Sequence, residues 1–112
     1  MSKISIIMGS ESDLQTVNEA INILKRFKVS FEVRVLSAHR APDNLRKYVT
    51  EAGKKGIKVF IGAAGGAAAL AGVIASNTTL PVIGIPIETK SLRGLDSLLS
   101  TVQMPAGVPV AT

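Results

Sequence analysis

Two hydrophobic periods alternate along the chain. Residues 3–8 (Lys-Ile-Ser-Ile-Ile-Met) form an apolar run of strand length, followed by Leu14, Val17, Ile21 and Leu24 at helical spacing. Ser12, with Gln15 three residues on, matches a capping box and predicts a helix start at Ser12. Residues 31–36 read as a second strand. Pro42-Asp43 opens a second helix with Leu45, Tyr48, Val49 and Ala52 inward, ended by Gly53 and Gly56. Residues 59–61 predict a third strand and residues 80–86, bracketed by prolines, a fourth. A helix over 92–102 is expected to bury Leu92, Leu95, Leu99 and Val102, and a short fifth strand is expected within 103–110. Strand and helix in strict alternation predict a doubly wound parallel α/β sheet in three layers, one domain over residues 1–112. No helical pattern follows the fifth strand, so the covering helix that such a sheet normally carries there is expected to be lacking.

Composition narrows the function classes. The chain has 112 residues, 46% of them hydrophobic and 19% charged, enough for one small core. Without cysteine there is no disulfide framework and no thiolate chemistry. No apolar run reaches the length of a membrane span and no leader-like stretch precedes the first strand, so the expectation is a cytoplasmic protein with no membrane partner. The net charge of +5 comes from dispersed Lys and Arg, and only 4% of residues are aromatic. Nucleic acid is therefore not an expected partner, while an anionic metabolite is.

The candidate chemistry lies in three strand-to-helix turns, where open parallel sheets bind ligands. Ser37-Ala38-His39-Arg40-Ala41-Pro42 holds the only histidine, a residue type that exchanges protons near neutral pH, beside an arginine able to fork onto a phosphate. The plain alternative is a solvated turn. Gly9-Ser10-Glu11-Ser12-Asp13 combines a glycine turn, two hydroxyls and a helix start; it is either a well-capped helix or an anion site. Asp13 would repel a phosphate and is better suited to sugar hydroxyls. Residues 62–72 are almost all Gly and Ala, which permits close approach of a ligand or of another packed element, and the glycine spacing does not match the dinucleotide fingerprint.

With Asp96-Ser97-Leu98 and Gln103-Met104-Pro105, these turns closely resemble the 5-(carboxyamino)imidazole ribonucleotide mutase family of purine biosynthesis, over essentially the whole chain. The resemblance implies a flavodoxin-like subunit in a homo-octamer. It also implies a reaction that moves a carboxyl group from an exocyclic nitrogen to ring C4, with no metal and no organic cofactor. Carried over by position, Ser10, Ser12 and Asp13 match the phosphoribose-binding loop. Ser37, Ala38, His39 and Arg40 match the catalytic turn, with His39 as proton shuttle, and Ala64, Gly65 and Leu70 match the glycine-rich loop. That loop commonly reads Gly-Gly-Ala-Ala-His-Leu, and here Ala69 stands in place of the second histidine. Family members also continue past Thr112 into a helical segment, so a C-terminally shortened chain is expected. Two other readings stay open at this point: a direct carboxylase that uses carbon dioxide, and an impaired variant that binds the ribonucleotide without turning it over.

Overall fold

The computed structural model describes residues 1–112. Four strands and four helices alternate: β1 (Ile4–Met8), α1 (Leu14–Arg26), β2 (Phe31–Val35), α2 (Pro42–Lys54), β3 (Val59–Gly65), α3 (Leu70–Ser76), β4 (Val82–Ile87) and α4 (Leu95–Val102). All strand pairs are parallel, in the order β2-β1-β3-β4, with Ile6 opposite Val33 on one side and Ile61 on the other. This is the flavodoxin-like arrangement, whose switch point lies between β1 and β3.

Alternate side chains of the central strands feed two cores. Ile7, Phe60 and Val82 pack with Leu45 and Val49 of α2 and Leu70, Ala71 and Ile74 of α3. Ile6, Met8 and Ile61 pack with Val17 and Ile21 of α1 on the other face. The first face is thus covered by α2, α3 and α4. The second is covered by α1 alone, and Ile83 of β4 remains 41% exposed there. No helix is long and apolar enough to cross a membrane.

Several sequence expectations are corrected. α1 does not begin on a Ser12 capping box. Residues 11–13 form a 3-10 turn whose cap is Ser10, its Oγ accepting the Ser12 N–H at 3.3 Å, and the α-helix starts at Leu14. Gly53 lies inside α2, and the chain turns at Gly56, where φ is +110°. β3 runs on to Gly65, past the expected end at Ile61, because β1 and β4 pair with it on both sides. Tertiary pairing there overrides the poor strand propensity of Ala and Gly. The expected fifth strand shrinks to one bridge between Ile83 and Ala111, since the prolines around it remove ladder donors.

The largest correction concerns α4. Its buried residues are Ser97 and Thr101, at 0% and 3% exposure, whereas Leu95 is 54% exposed and Leu92, Leu99 and Val102 also face solvent. The sheet beneath is glycine: a Cβ on Gly84 would run into Thr101 Cγ2 and lie 3.3 Å from Ala71 Cβ. α4 approaches so closely that only small residues fit, and Ser97 and Thr101 satisfy their hydroxyls on Ile87 C=O and Ser97 C=O at 2.5 and 2.7 Å.

Candidate functional site

The carboxyl ends of all four strands open into one cavity of about 390 Å³, a volume suited to a small ligand. β1 delivers Gly9, Ser10, Ser12 and Asp13. β2 delivers Ser37, Ala38, His39 and Arg40. β3 delivers Ala64, Gly65, Ala67, Ala69 and Leu70. The ten residues carried over as site residues therefore border the same space, whereas Asp96-Ser97-Leu98 and Gln103-Met104-Pro105 lie outside it.

Each turn is shaped by its own hydroxyls. Ser10 Oγ lies 2.9 Å from Ser12 Oγ, so the two hydroxyls sit side by side at the cavity edge. Burial raises the Asp13 carboxyl above its usual value of 3.8, partly opposed by a backbone hydrogen bond from Ser10. In the second turn Ser37 accepts the Arg40 N–H on its Oγ at 3.1 Å and the Ala41 N–H on its carbonyl at 3.0 Å. This side-chain turn projects His39 and Arg40 outward, both exposed. Neither side chain has a hydrogen-bond or ion-pair partner within the chain, so both are free to meet a ligand.

The third wall is made of residues with almost no side chain. Gly65 permits a close contact: a Cβ there would lie 2.9 Å from Thr89 Cγ2 and 3.1 Å from Ile87 C=O. Thr89 in turn donates to the Asp96 carboxylate, 3.3 Å from Oδ2. On the far side of β3, Gly62 allows α3 to press in, since a Cβ would sit 3.2 Å from Ala71 Cα. Met104 of the Gln-Met-Pro stretch covers α3, its sulfur 3.3 Å from where a Cβ of Gly72 would be.

The fourth wall, Ile87, Glu88 and Thr89 after β4, escaped the sequence reading. The signal was available in principle, because every strand of a parallel sheet ends at the ligand edge. Asp13 and Glu88 are the cavity's carboxylates, and no group of three His, Cys, Asp or Glu comes together in the chain.

The sequence pattern of the AIR carboxylase family matches residues 3–112. The chain belongs to the AIR carboxylase family. It is 58% identical over its whole length to the N5-carboxyaminoimidazole ribonucleotide mutase of Saccharolobus solfataricus, spanning 71% of that protein. It is 56% identical over its whole length to the mutase of Pyrococcus abyssi, of which it spans 64%. Among solved structures, Treponema denticola PurE superimposes with a TM-score of 0.88 at 28% identity, over 96% of this chain and 68% of that one. The matched span, residues 3–112, contains every residue that borders the cavity.

Proposed function

We propose that this chain acts as a mutase on 5-(carboxyamino)imidazole ribonucleotide, moving the carboxyl group from the exocyclic nitrogen to ring C4. The observation that carries the reading is the convergence of the Ser10–Asp13, Ser37–Arg40 and Ala64–Leu70 segments on one cavity, in a chain 58% identical to a named mutase.

Each residue then has a task. Ser10 and Ser12 offer hydroxyls, and the positive end of the helix start favours the negatively charged phosphoribose end. Asp13 accepts hydrogen bonds from ribose hydroxyls. Arg40 pairs with the phosphate, a charge-assisted contact of the strong kind. Ser37 and Ala38 form the turn that presents His39. Ala64, Gly65 and Leu70 bound a space large enough to keep carbon dioxide close to the ring.

The chemistry balances without an outside reactant. The N–C bond to the carboxyl group breaks, His39 as imidazolium protonates the leaving nitrogen, and carbon dioxide is retained. Ring C4 attacks it to form the new C–C bond. The tetrahedral C4 then loses its proton to the neutral imidazole, which restores both the aromatic ring and the imidazolium. The same imidazole serves both transfers, giving a proton in the first and taking one in the second.

The reading brings a cytoplasmic site of action and self-association with it. The exposed stripe of Leu92, Leu95, Leu98, Leu99 and Val102 supports the second, because contiguous apolar surface of this kind marks an interface. The test of the reaction is conversion of the carboxyamino substrate in buffer stripped of bicarbonate. Formation of the C4-carboxylated product supports the reading. Conversion only when carbon dioxide is supplied would replace it with direct carboxylation.

A further inference from the structure

The Gly66–Ala69 segment has no side chain with which to hold itself, and a chain of glycine and alanine is costly to order. α4 supplies the restraint. The Gly66 N–H donates to Ser97 Oγ at 2.9 Å, and the fully buried Ser97 passes its own proton to Ile87 C=O at 2.5 Å. One turn on, Ser100 Oγ accepts the Ala68 N–H at 2.9 Å, an N–H that Gly66 C=O also accepts at 2.9 Å, and its own proton faces Asp96 C=O at 2.7 Å, with Gly66 C=O at 3.1 Å and Ser97 C=O at 3.2 Å. The Ala69 N–H is taken by Ala67 C=O at 2.8 Å. Ala67 borders the cavity, and its N–H alone among residues 66–69 has no partner within the chain.

We propose that Ser97 and Ser100 are positioning residues for the carboxylated end of the substrate: they fix the small-residue loop and leave the Ala67 N–H as its donor to the substrate carboxylate. The inference deepens the mutase reading and rests on it. It also explains why α4 places serines rather than leucines beside the loop, Ser97 buried and Ser100 at the exposed edge. Ser97 satisfies the Gly66 N–H, which a leucine there would leave unpaired, and Ser100 adds a second acceptor to the Ala68 N–H. Neither serine borders the cavity, so each acts only through the loop.

The test is calorimetric binding of two nucleotides, the C4-carboxylated product and the uncarboxylated aminoimidazole ribonucleotide, to the wild-type chain, Ser100→Ala and Ser100→Thr. Ser100 is an exposed helix position, so the alanine variant keeps its fold, and a melting curve verifies this. Ser100→Ala should weaken the carboxylated nucleotide about tenfold and the uncarboxylated one less than about twofold, the scale of one hydrogen bond aimed at a charged group. Ser100→Thr keeps the hydroxyl and should match the wild type on both ligands. Ser97→Ala should reproduce the selective loss. Equal loss on both nucleotides, or none on the carboxylated one, overturns the positioning role while leaving the mutase reading in place. A wild-type chain that binds neither nucleotide overturns both.

Discussion

The γ-methyl of Thr101 occupies the space in which a side chain at Gly84 would stand. α4 therefore sits on β4 at a distance set by a glycine, and the loop held by α4 is placed by the same contact. Gly84→Ala should lower stability by about 1–3 kcal/mol, the usual cost of overpacking a close-fitted site. Adding Thr101→Ser removes the methyl in question and should recover part of the loss. Chemical denaturation of the single and double variants measures both values, and strict additivity would show that the two positions do not touch.

A second set of polar groups lies under α2. Ser5 Oγ is 2.6 Å from the Tyr48 hydroxyl, which donates to Glu32 at 2.9 Å; Arg34 pairs with Glu32 at 3.1 Å and stands over the Tyr48 ring. Burial pushes the Tyr48 phenol from 10.0 up to about 12, Glu32 adding to the rise while Ser5 and Arg34 oppose it. The folded value exceeds the unfolded one, so the phenol's stabilising share is complete below pH 10.0 and is lost as pH rises towards about 12. Tyr48→Phe strands a buried serine hydroxyl and should cost about 1–3 kcal/mol at pH 7. In the variant, the fall in stability between those two pH values should also be smaller than in the wild type, as pH-dependent melting will show.

Asp13 should show the opposite balance between stability and binding. Its carboxyl is raised by burial, so ionisation opposes folding: stability is greatest when the group is protonated and declines as pH climbs through the carboxylate range. Asp13→Asn should raise the melting temperature at pH 7, with the gain fading as pH falls through the carboxylate range towards 3.8 and absent below it. Nucleotide affinity should drop at the same time, because an amide is a weaker acceptor for ribose hydroxyls than a carboxylate. A variant that gains neither stability nor loses affinity would remove Asp13 from both roles.

The apolar stripe on α4 makes a prediction about assembly. Leu95→Glu with Leu99→Glu places two charges on exposed helix positions, away from either core. Sedimentation should show the wild type as a multimer and the double variant shifted to single chains, with an unchanged far-ultraviolet spectrum. Identical sedimentation of the two proteins would move the interface elsewhere.

Legibility followed the strength of local signals. β1, β2 and α2 carried clean periods, with Pro42 at the first turn of α2, and the structure places them within a residue of expectation. The three turns were readable because a polar or glycine-rich turn after a buried strand is a local pattern, and the ten residues within them came from the family resemblance; the structure brings them to one cavity. What stayed hidden was non-local. The extension of β3 to Gly65 depends on neighbours on both sides, and the inward face of α4 depends on Gly84 of a different strand. A periodic row of leucines read outward as well as inward, and only the sheet beneath decided between them. Ser97 was read only as part of the Asp96-Ser97-Leu98 stretch and Ser100 not at all, and their hold on Gly66 and Ala68 spans 31 and 32 positions along the chain.

The proposed carboxyl transfer turns on proton exchange by His39. Its most direct measurement is turnover of the carboxyamino substrate without bicarbonate by the wild-type chain beside His39→Asn, with nucleotide affinity measured in parallel. Turnover by the wild type is expected, with a loss of at least about a hundredfold in the variant and affinity within a few fold, because asparagine keeps a polar group and loses the proton. Turnover retained by His39→Asn, or absent from the wild type, would contradict it.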